Sequence, residues 1–331
     1  MRTSTLLFFL FMFQIPEGFS QVEETIEPEY IRTIEFKGTA SQSRLPVIEL
    51  GQKLQLSFDD IIGNEADYFY TIEHFNFDWT PSDLSKGEYL DGFDDVRIET
   101  YENSFNTLQL YSNYKLSIPN RETRALKKSG NYLLRIFNDD GEIVFSRKFM
   151  VLERLLSVAV EIKRSRIIKN IDQQQVVQFK INAPNLLLIN PKQNVKTLVL
   201  QNNNLKTAIT DLKPLYTIGS ELIYRYDQEA AFWGGNEFLF FDNKDIRSAT
   251  NGVRSVALND LYENFLFTNI DRSVRPYTYN PDINGNFQVR NLYASQNQNI
   301  EADYVLMHFN LQHYGSLGDK EIHIYGNFNN W

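Results

Sequence analysis

The sequence predicts an all-β protein made of tandem β-sandwiches of the immunoglobulin or fibronectin type III kind. Aromatic residues make up 14% of the 331 residues, with 25 Phe and 18 Tyr. Short runs rich in Val, Ile and Thr, which favour strands, recur along the chain. Many of these runs alternate apolar and polar residues, as half-buried strands do, and turn signals separate them.

The composition excludes several classes of function. The chain has 33 basic and 42 acidic residues, a formal net charge of −9, so it lacks the basic surface of a general nucleic-acid-binding protein. It contains no cysteine, which excludes disulfides, thiolate metal sites, cysteine nucleophiles and lipidation of a cysteine.

Residues 1–20 are typical of a secretory signal peptide. Arg2 precedes an unbroken apolar run at 6–13, and Gly18 and Ser20 supply small residues where a signal peptidase cleaves. The run is too short to span a bilayer as a helix. We therefore predict an exported protein that loses this segment.

Residues 21–153 form the first predicted sandwich. Its main strand candidates are the runs at 32–37, 44–50, 53–59, 68–79, 96–100, 108–110, 114–118, 132–136 and 143–151. Asp140 and Gly141 predict a tight hairpin turn between the last two runs. Short strands with intervening turn signals are typical of a sandwich.

The aromatic stretch 68–95 begins as one of these strands. Tyr70 and Ile72 share a face by the period of two, but the apolar side changes parity from Phe75 onward. Either a bulge near His74 or burial of both faces of the strand would explain this change.

The connection that follows is rich in aromatic residues and has no catalytic-looking groups, which indicates a structural role. We predict a structural motif made of Trp79, Tyr89, Gly92, Phe93 and Tyr132. Within it, we expect Trp79, Tyr89 and Phe93 to pack the connection onto the first sandwich.

Residues 154–298 form the second predicted sandwich, with strand candidates at 158–162, 177–181, 196–200, 222–226, 237–241 and 265–268. Phe232 and Trp233 precede a Gly-Gly pair within it. This tip is either an exposed contact point or part of the core, and both residues are candidates for an interaction with a partner.

Residues 299–331 contain two strand candidates, at 304–311 and 320–325. Two strands cannot form an independent core. Either they pair with the preceding domain or they begin a third β-domain that continues beyond Trp331, and we favour the second interpretation.

The candidate chemical sites are weak. His74 lies among aromatic residues, and His308, His313 and His323 lack the converging carboxylates of a metal site. The loop at 282–286 has its glycine in the fourth position, not the sixth as in an EF-hand, and is typical of a hairpin turn. We predict no enzyme activity, no catalytic residue, no cofactor and no metal.

Five segments carry a resemblance to a known family. They are 74–82 (HFNFDWTPS), 88–94 (EYLDGFD), 101–107 (YENSFNT), 129–135 (SGNYLLR) and 147–153 (RKFMVLE). Together they resemble the plug protein family of the bacterial type IX secretion system. Relatives often carry cysteine after the histidine, where this chain has Phe75.

The resemblance implies a non-enzymatic periplasmic protein of tandem β-sandwiches. It would close the periplasmic end of an outer-membrane translocon barrel when no cargo is bound. The implied partner is that barrel, and the protein would lie at the outer membrane through protein contacts without inserting, and would be monomeric when free.

An alternative function is a secreted or periplasmic carbohydrate-binding or adhesion β-sandwich protein. The segment 325–331 (YGNFNNW) resembles the opening of the glycogen-binding, isoamylase-N-terminal type of β-sandwich. The sugar-stacking aromatic residues of that family lie further along its chain, so the resemblance does not extend to them.

Overall fold

The computed structural model describes residues 22–39, 45–235, 238–272, 279, 281–319 and 321–329. Strands dominate these residues and the helices are short, so the predicted all-β class is confirmed. The predicted signal peptide lies outside the described residues. In the part of the chain that is described, no helix is long and apolar enough to cross a membrane.

The first sandwich consists of two sheets. In chain order its elements are β1 (Ile31–Gly38), β2 (Val47–Glu49), β3 (Leu54–Asp60), β4 (Phe69–Phe75), helix α1 (Lys86–Tyr89), β5 (Leu90–Gly92), β6 (Val96–Arg97), β7 (Thr100–Asn103), β8 (Ser112–Ile118), β9 (Thr123–Leu126), β10 (Gly130–Phe137) and β11 (Ile143–Leu152). One sheet has the order β1–β3–β8–β7, the other the order β2–β11–β10–β4–β6, and β5 pairs with β9.

Aromatic rings from both sheets form the core of the first sandwich. Phe58 of β3 lies 5.2 Å from Phe145 of β11 in an edge-on contact, and stacks on Tyr114 at 5.2 Å. Tyr132 stacks on Phe149 at 5.1 Å in the second sheet. Burial of each ring of this size contributes about 1.5–3 kcal/mol to the free energy of folding. These rings therefore hold the two sheets together.

Strand β4 explains why the apolar side of the sequence changes parity at Phe75. It pairs with β10 from Phe69 to Phe75 without a shift of register, so the predicted bulge near His74 is wrong. Tyr70 and Ile72 face the core, and Phe75 is buried on the other side, where the Trp79 ring lies 6.3 Å away. The opposite face is buried only at this end of the strand, because Phe69, Thr71 and Glu73 stay partly exposed.

A second β unit follows. Its elements are β12 (Ser157–Arg164), β13 (Gln174–Asn182), helix α2 (Pro191–Asn194), β14 (Leu198–Val199), β15 (Ile209–Thr210), β16 (Tyr216–Ile218), β17 (Glu221–Tyr224), β18 (Ala231–Trp233), and 3₁₀ helices at Ile168–Asn170 and Leu205–Thr207. The sheet order is β12–β13–β17–β16, and β18 pairs with the other end of β13. The β14–β15 pair adds Val199 and Ile209 to a small core around Phe179 and Tyr224.

The last elements are β19 (Val253–Leu258), β20 (Tyr262–Leu266), β21 (Asn269–Ile270), helix α3 (Gln298–Glu301), β22 (Val305–His308), β23 (Leu311–Gln312) and a 3₁₀ helix at Asn327–Asn329. Strand β22 pairs in parallel with β20, and β23 with β21. The first of the two late strand candidates therefore joins strands that precede it. The division into domains at 153/154 and 298/299 remains a prediction.

Three predicted strands are wrong in their described residues, namely 108–110, 238–241 and 321–325. In two of these segments, backbone amides donate hydrogen bonds to a carboxylate side chain and not to a neighbouring strand. The amides of Leu108 and Gln109 donate to the carboxylate of Asp303, at 2.8 and 3.2 Å. The amide of Phe238 donates to Asp282.

Candidate interaction surface

Strand β12 forms one edge of the main sheet of the second unit. Its eight residues pair with β13 from Ser157 to Arg164 in an unbroken register, and among the described residues β13 is its only partner strand. Such an edge presents a row of backbone N–H and C=O groups to its surroundings. Proteins commonly protect exposed edges with bulges, prolines or inward-pointing charges.

One face of this strand carries exposed apolar side chains. Val158, Val160 and Ile162 are 53%, 60% and 65% exposed. Their register partners on β13 are Ile181, Phe179 and Val177, which belong to or pack against the core of the second unit. The core-facing side of the sheet therefore continues onto β12, where it is left open.

We call this region the edge surface and define it as Leu155, Leu156, Val158, Val160 and Ile162, all of which are exposed. Contiguous exposed apolar groups on a folded protein mark sites of protein contact. An open strand edge beside such groups is the geometry that accepts a further strand.

Charged pairs lie on the other side of β12 and at its end. Lys163 and Glu161 approach to 2.9 Å, and Arg164 and Asp172 to 2.8 Å. Exposed pairs of this kind add little to folding stability. They give the edge surface a polar rim, which is typical of protein interfaces that form and dissociate.

The two interaction candidates lie on the opposite side of β13, in β18. Phe232 is buried, whereas Trp233 is 59% exposed. Trp233 is opposite Gln174 in the register, so it points to the other face of the sheet from Val158, Val160 and Ile162. The structure thus places Trp233 and the edge surface in one sheet without bringing them together.

Trp79 lies in the tight turn that ends β4. Its backbone has a φ of 63°, in the left-handed region, and its half-buried ring covers Phe75. The ammonium group of Lys148 lies 4.5 Å from the ring centre, where a cation–π contact is favourable. Burial lowers the pKa of Lys148.

Tyr89 and Tyr132 are buried around His74. The histidine ring stacks on Tyr89 at 5.6 Å and meets Tyr132 edge-on at 4.8 Å. Its nitrogens bond to the Ser82 hydroxyl at 2.8 Å and to the Ser129 carbonyl at 3.2 Å. His74 therefore joins three chain segments, which is a structural role.

Gly92 and Phe93 hold the connection to β9 through their backbone. Gly92 has a φ of 102°, and a Cβ there would lie 2.0 Å from the carbonyl oxygen of Glu122. The Phe93 amide donates to that same oxygen at 3.0 Å, and its carbonyl accepts from the Thr123 hydroxyl at 2.6 Å. The Phe93 side chain is 69% exposed, so the expectation that its ring packs onto the sandwich is wrong.

The three late histidines bind separate carboxylates. His308 pairs with Glu263, His313 with Asp271 and His323 with Glu321, at 2.8, 3.2 and 3.1 Å. Across the described ranges, no group of three His, Asp or Glu side chains is placed to hold a metal ion. In the loop at 282–286, an Asp282 oxygen accepts the Asn284 amide at 2.9 Å, which forms a turn.

Comparison with solved structures gave a close relative. The crystal structure of a hypothetical protein from Parabacteroides merdae is 30% identical, with a TM-score of 0.83, and the match covers 88% of this chain and 74% of that chain. No curated protein matches. A family model described as the type 9 secretion system plug protein 1st domain matches residues 31–153. The chain belongs to this plug protein family.

Family membership gives the plug protein a role in type IX secretion and an association with the secretion machinery, on the periplasmic side. The family is a component of a secretion system and is not a known enzyme family. The matched residues contain all five members of the predicted structural motif. The edge surface and Trp233 lie outside the matched range.

The edge surface has no clear signature in the sequence. The alternation of Val158, Val160 and Ile162 correctly predicts a strand, and β12 includes them. Alternation predicts that one face is apolar, but it does not predict whether another layer covers that face. The strand contains no proline or glycine, residues that often protect the edge strands of a sheet. Their absence is the one sequence feature that is compatible with an unprotected edge.

Proposed function

We propose that this protein closes the periplasmic end of the type IX outer-membrane translocon barrel when no cargo is bound. The observation that carries the proposal is the family match over residues 31–153. Closing a pore needs a rigid body of sufficient size and a contact that can be broken. The closely packed first sandwich supports the first requirement.

The edge surface is the proposed site of contact with the barrel. Its apolar groups and open strand edge provide attraction, and its charged rim suits reversible binding. Reversible closure requires an interface at the modest end of specific interfaces, so that arriving cargo could displace the plug. The protein would be held at the outer membrane by this contact and would be monomeric when free.

Affinity purification of the tagged protein from native membranes in mild detergent tests this function. We expect an outer-membrane barrel of the secretion system to be recovered with the plug, and more of it when cargo synthesis is suppressed. Recovery of the plug as a monomer alone, under conditions that keep other complexes of this secretion system intact, would refute the proposal.

One observation favours the alternative, a carbohydrate-binding protein. A cleft of about 520 Å³ is lined by aromatic and polar side chains, among them Phe240, Tyr293, Phe328 and Arg247. The three rings are exposed, and exposed rings can stack on sugars. Glycan binding that is lost in Tyr293→Ala would support this function, and an empty glycan array would count against it.

A further inference from the structure

Residues 297–304 lie across the first sandwich, although they are distant from it in sequence. We call them the strap. The Tyr111 hydroxyl donates to the carbonyl oxygens of Asn299 and Ala302, at 3.0 and 2.7 Å. The amide of Phe105 donates to the Ile300 carbonyl at 2.8 Å. These bonds attach helix α3 to the segment that joins β7 to β8.

The end of the strap makes the most buried contacts. The Tyr304 hydroxyl donates to Asp59 at 2.7 Å and lies 2.6 Å from the Thr33 hydroxyl. The other Asp59 oxygen accepts from the Asn113 amide at 2.7 Å. Asp59 is only 4% exposed, so its carboxylate depends on this network in place of water.

The backbone at Thr33 is strained at the same place. Thr33 has a φ of 52°, an unfavourable conformation for a β-branched residue, and the pairing of β1 with β3 shifts there. The distortion places the Thr33 hydroxyl against Tyr304. Strained residues persist where the surrounding structure holds them, and they cluster in elements with a function.

Tyr304 immediately precedes β22, which pairs with β20. The strap therefore connects the first sandwich to the sheet formed by β19, β20 and β22. If the strap detaches, that sheet is no longer held to the first sandwich at this point, and Asp59 becomes accessible to water. A small cavity of about 120 Å³ already lies beside Asp59 and Tyr304.

We propose that the strap is a releasable latch, with the Asp59–Tyr304–Thr33 network as its lock, and that its release uncouples the first sandwich from the sheet that follows. The latch does not depend on the function proposed above. Its closed state is the one described here. In its open state the Asp59 carboxylate is exposed to water, so the free-energy cost of burying this charged group is removed.

The burial of Asp59 makes closure of the lock depend on pH. The charged or titratable groups around Asp59 are Arg32 and Glu35 on β1, Asp60 on its own strand, Lys115 on β8, Tyr111, and Asp303 and Tyr304 on the strap. Burial raises the pKa of Asp59 from 3.8 to about 6, and Glu35 acts in the same direction. The closed state therefore binds a proton more readily than the open state and becomes more stable as the pH falls from about 7 toward 4.

Hydrogen exchange of the full chain tests the latch. The amides of Phe105, Leu108 and Gln109 report on the strap, because their acceptors belong to it. We expect Tyr304→Phe to lower their protection factors about tenfold, as for the loss of one buried hydrogen bond. Tyr101→Phe is the matched control, because its hydroxyl bonds to Glu65, away from the strap.

The pH gives a second readout that does not require a destabilising variant. Protection factors correct for the intrinsic pH dependence of exchange, and in the unmodified protein we expect them to rise roughly tenfold between pH 7.5 and 4.5. Asp59→Asn should raise protection at pH 7.5 and abolish this rise. Protection that is independent of pH, and equal in the unmodified protein and Tyr304→Phe, would show that the strap is a fixed part of the fold.

Discussion

At the scale of single residues, the plug protein uses its most characteristic side chains for packing. Trp79 shows this role most clearly, because its ring covers Phe75 while its backbone occupies the left-handed region. The packing stabilises the turn, whereas the backbone conformation opposes it. These two contributions can be separated by substitution.

We expect Trp79→Ala to lower the free energy of unfolding by about 2 kcal/mol, since the ring is half-buried. Trp79→Gly also removes the ring but suits a φ of 63°, so it should be no less stable than the alanine variant. Thermal unfolding of both variants measures this. Trp233→Ala, at an exposed tryptophan, is the control and should change stability by less than about 0.5 kcal/mol. Unchanged unfolding in Trp79→Ala would contradict the packing role.

We expect a larger loss of stability from a substitution at Gly92, because an added Cβ would lie 2.0 Å from a backbone oxygen. We expect Gly92→Ala to lower the stability of the first sandwich by more than about 3 kcal/mol. The matched control is Gly87→Ala in helix α1, where nothing lies within 4 Å of an added Cβ. That change should be neutral or stabilising by up to about 1 kcal/mol. Chemical denaturation of the two variants compares them directly, and equal stabilities would contradict the steric account.

At the scale of elements, strands were predictable where periodicity and burial agree. The run that became β3 alternates from Leu54 to Phe58 because one face of the strand meets the core. Two failures have a physical reason in common. At 108–110 and 238–241, carboxylates distant in sequence satisfy backbone amides. Such bonds depend on tertiary structure, so no local pattern indicates them.

The sequence likewise predicted only a small part of the candidate interaction surface. The Gly-Gly pair after Phe232 and Trp233 indicated a tip that could contact a partner, and of these two residues one is buried and one exposed. The edge surface consists of ordinary aliphatic residues, and only the sheet order shows that β12 lies at an edge. The function of the edge surface can therefore be tested by a substitution within β12.

We expect Val160→Glu to leave folding intact and to reduce recovery of the translocon barrel at least tenfold, since it places a charge in the centre of the edge surface. Ile168→Glu is the control, because Ile168 is also exposed but lies in a 3₁₀ helix outside β12. Co-purification from membranes compares the two. If both variants recover the barrel equally, the contact lies elsewhere on the plug.

At the scale of the whole molecule, two carboxylates act on the strap in opposite directions. Asp59 has a pKa raised by burial, so its protonation favours the closed latch. Glu301 has a pKa lowered to about 2 by the backbone amides of Ser295, Asn297 and Gln296. Its ionised form organises the start of the strap, because those amides donate to it at 2.8 Å.

The signs of these shifts predict a maximum in closure. A carboxyl group with a lowered pKa stabilises the fold above its unfolded value, here 4.5, and this contribution is lost as the pH falls toward 2. Protection of the Phe105 amide should therefore rise as the pH falls from 7.5, reach a maximum near about pH 4.5, and decline below it. Glu301→Gln should remove the decline and keep the rise, whereas Asp59→Asn should remove the rise and keep the decline. A single variant that abolishes both limbs would show that global unfolding, not the latch, controls exchange at this amide.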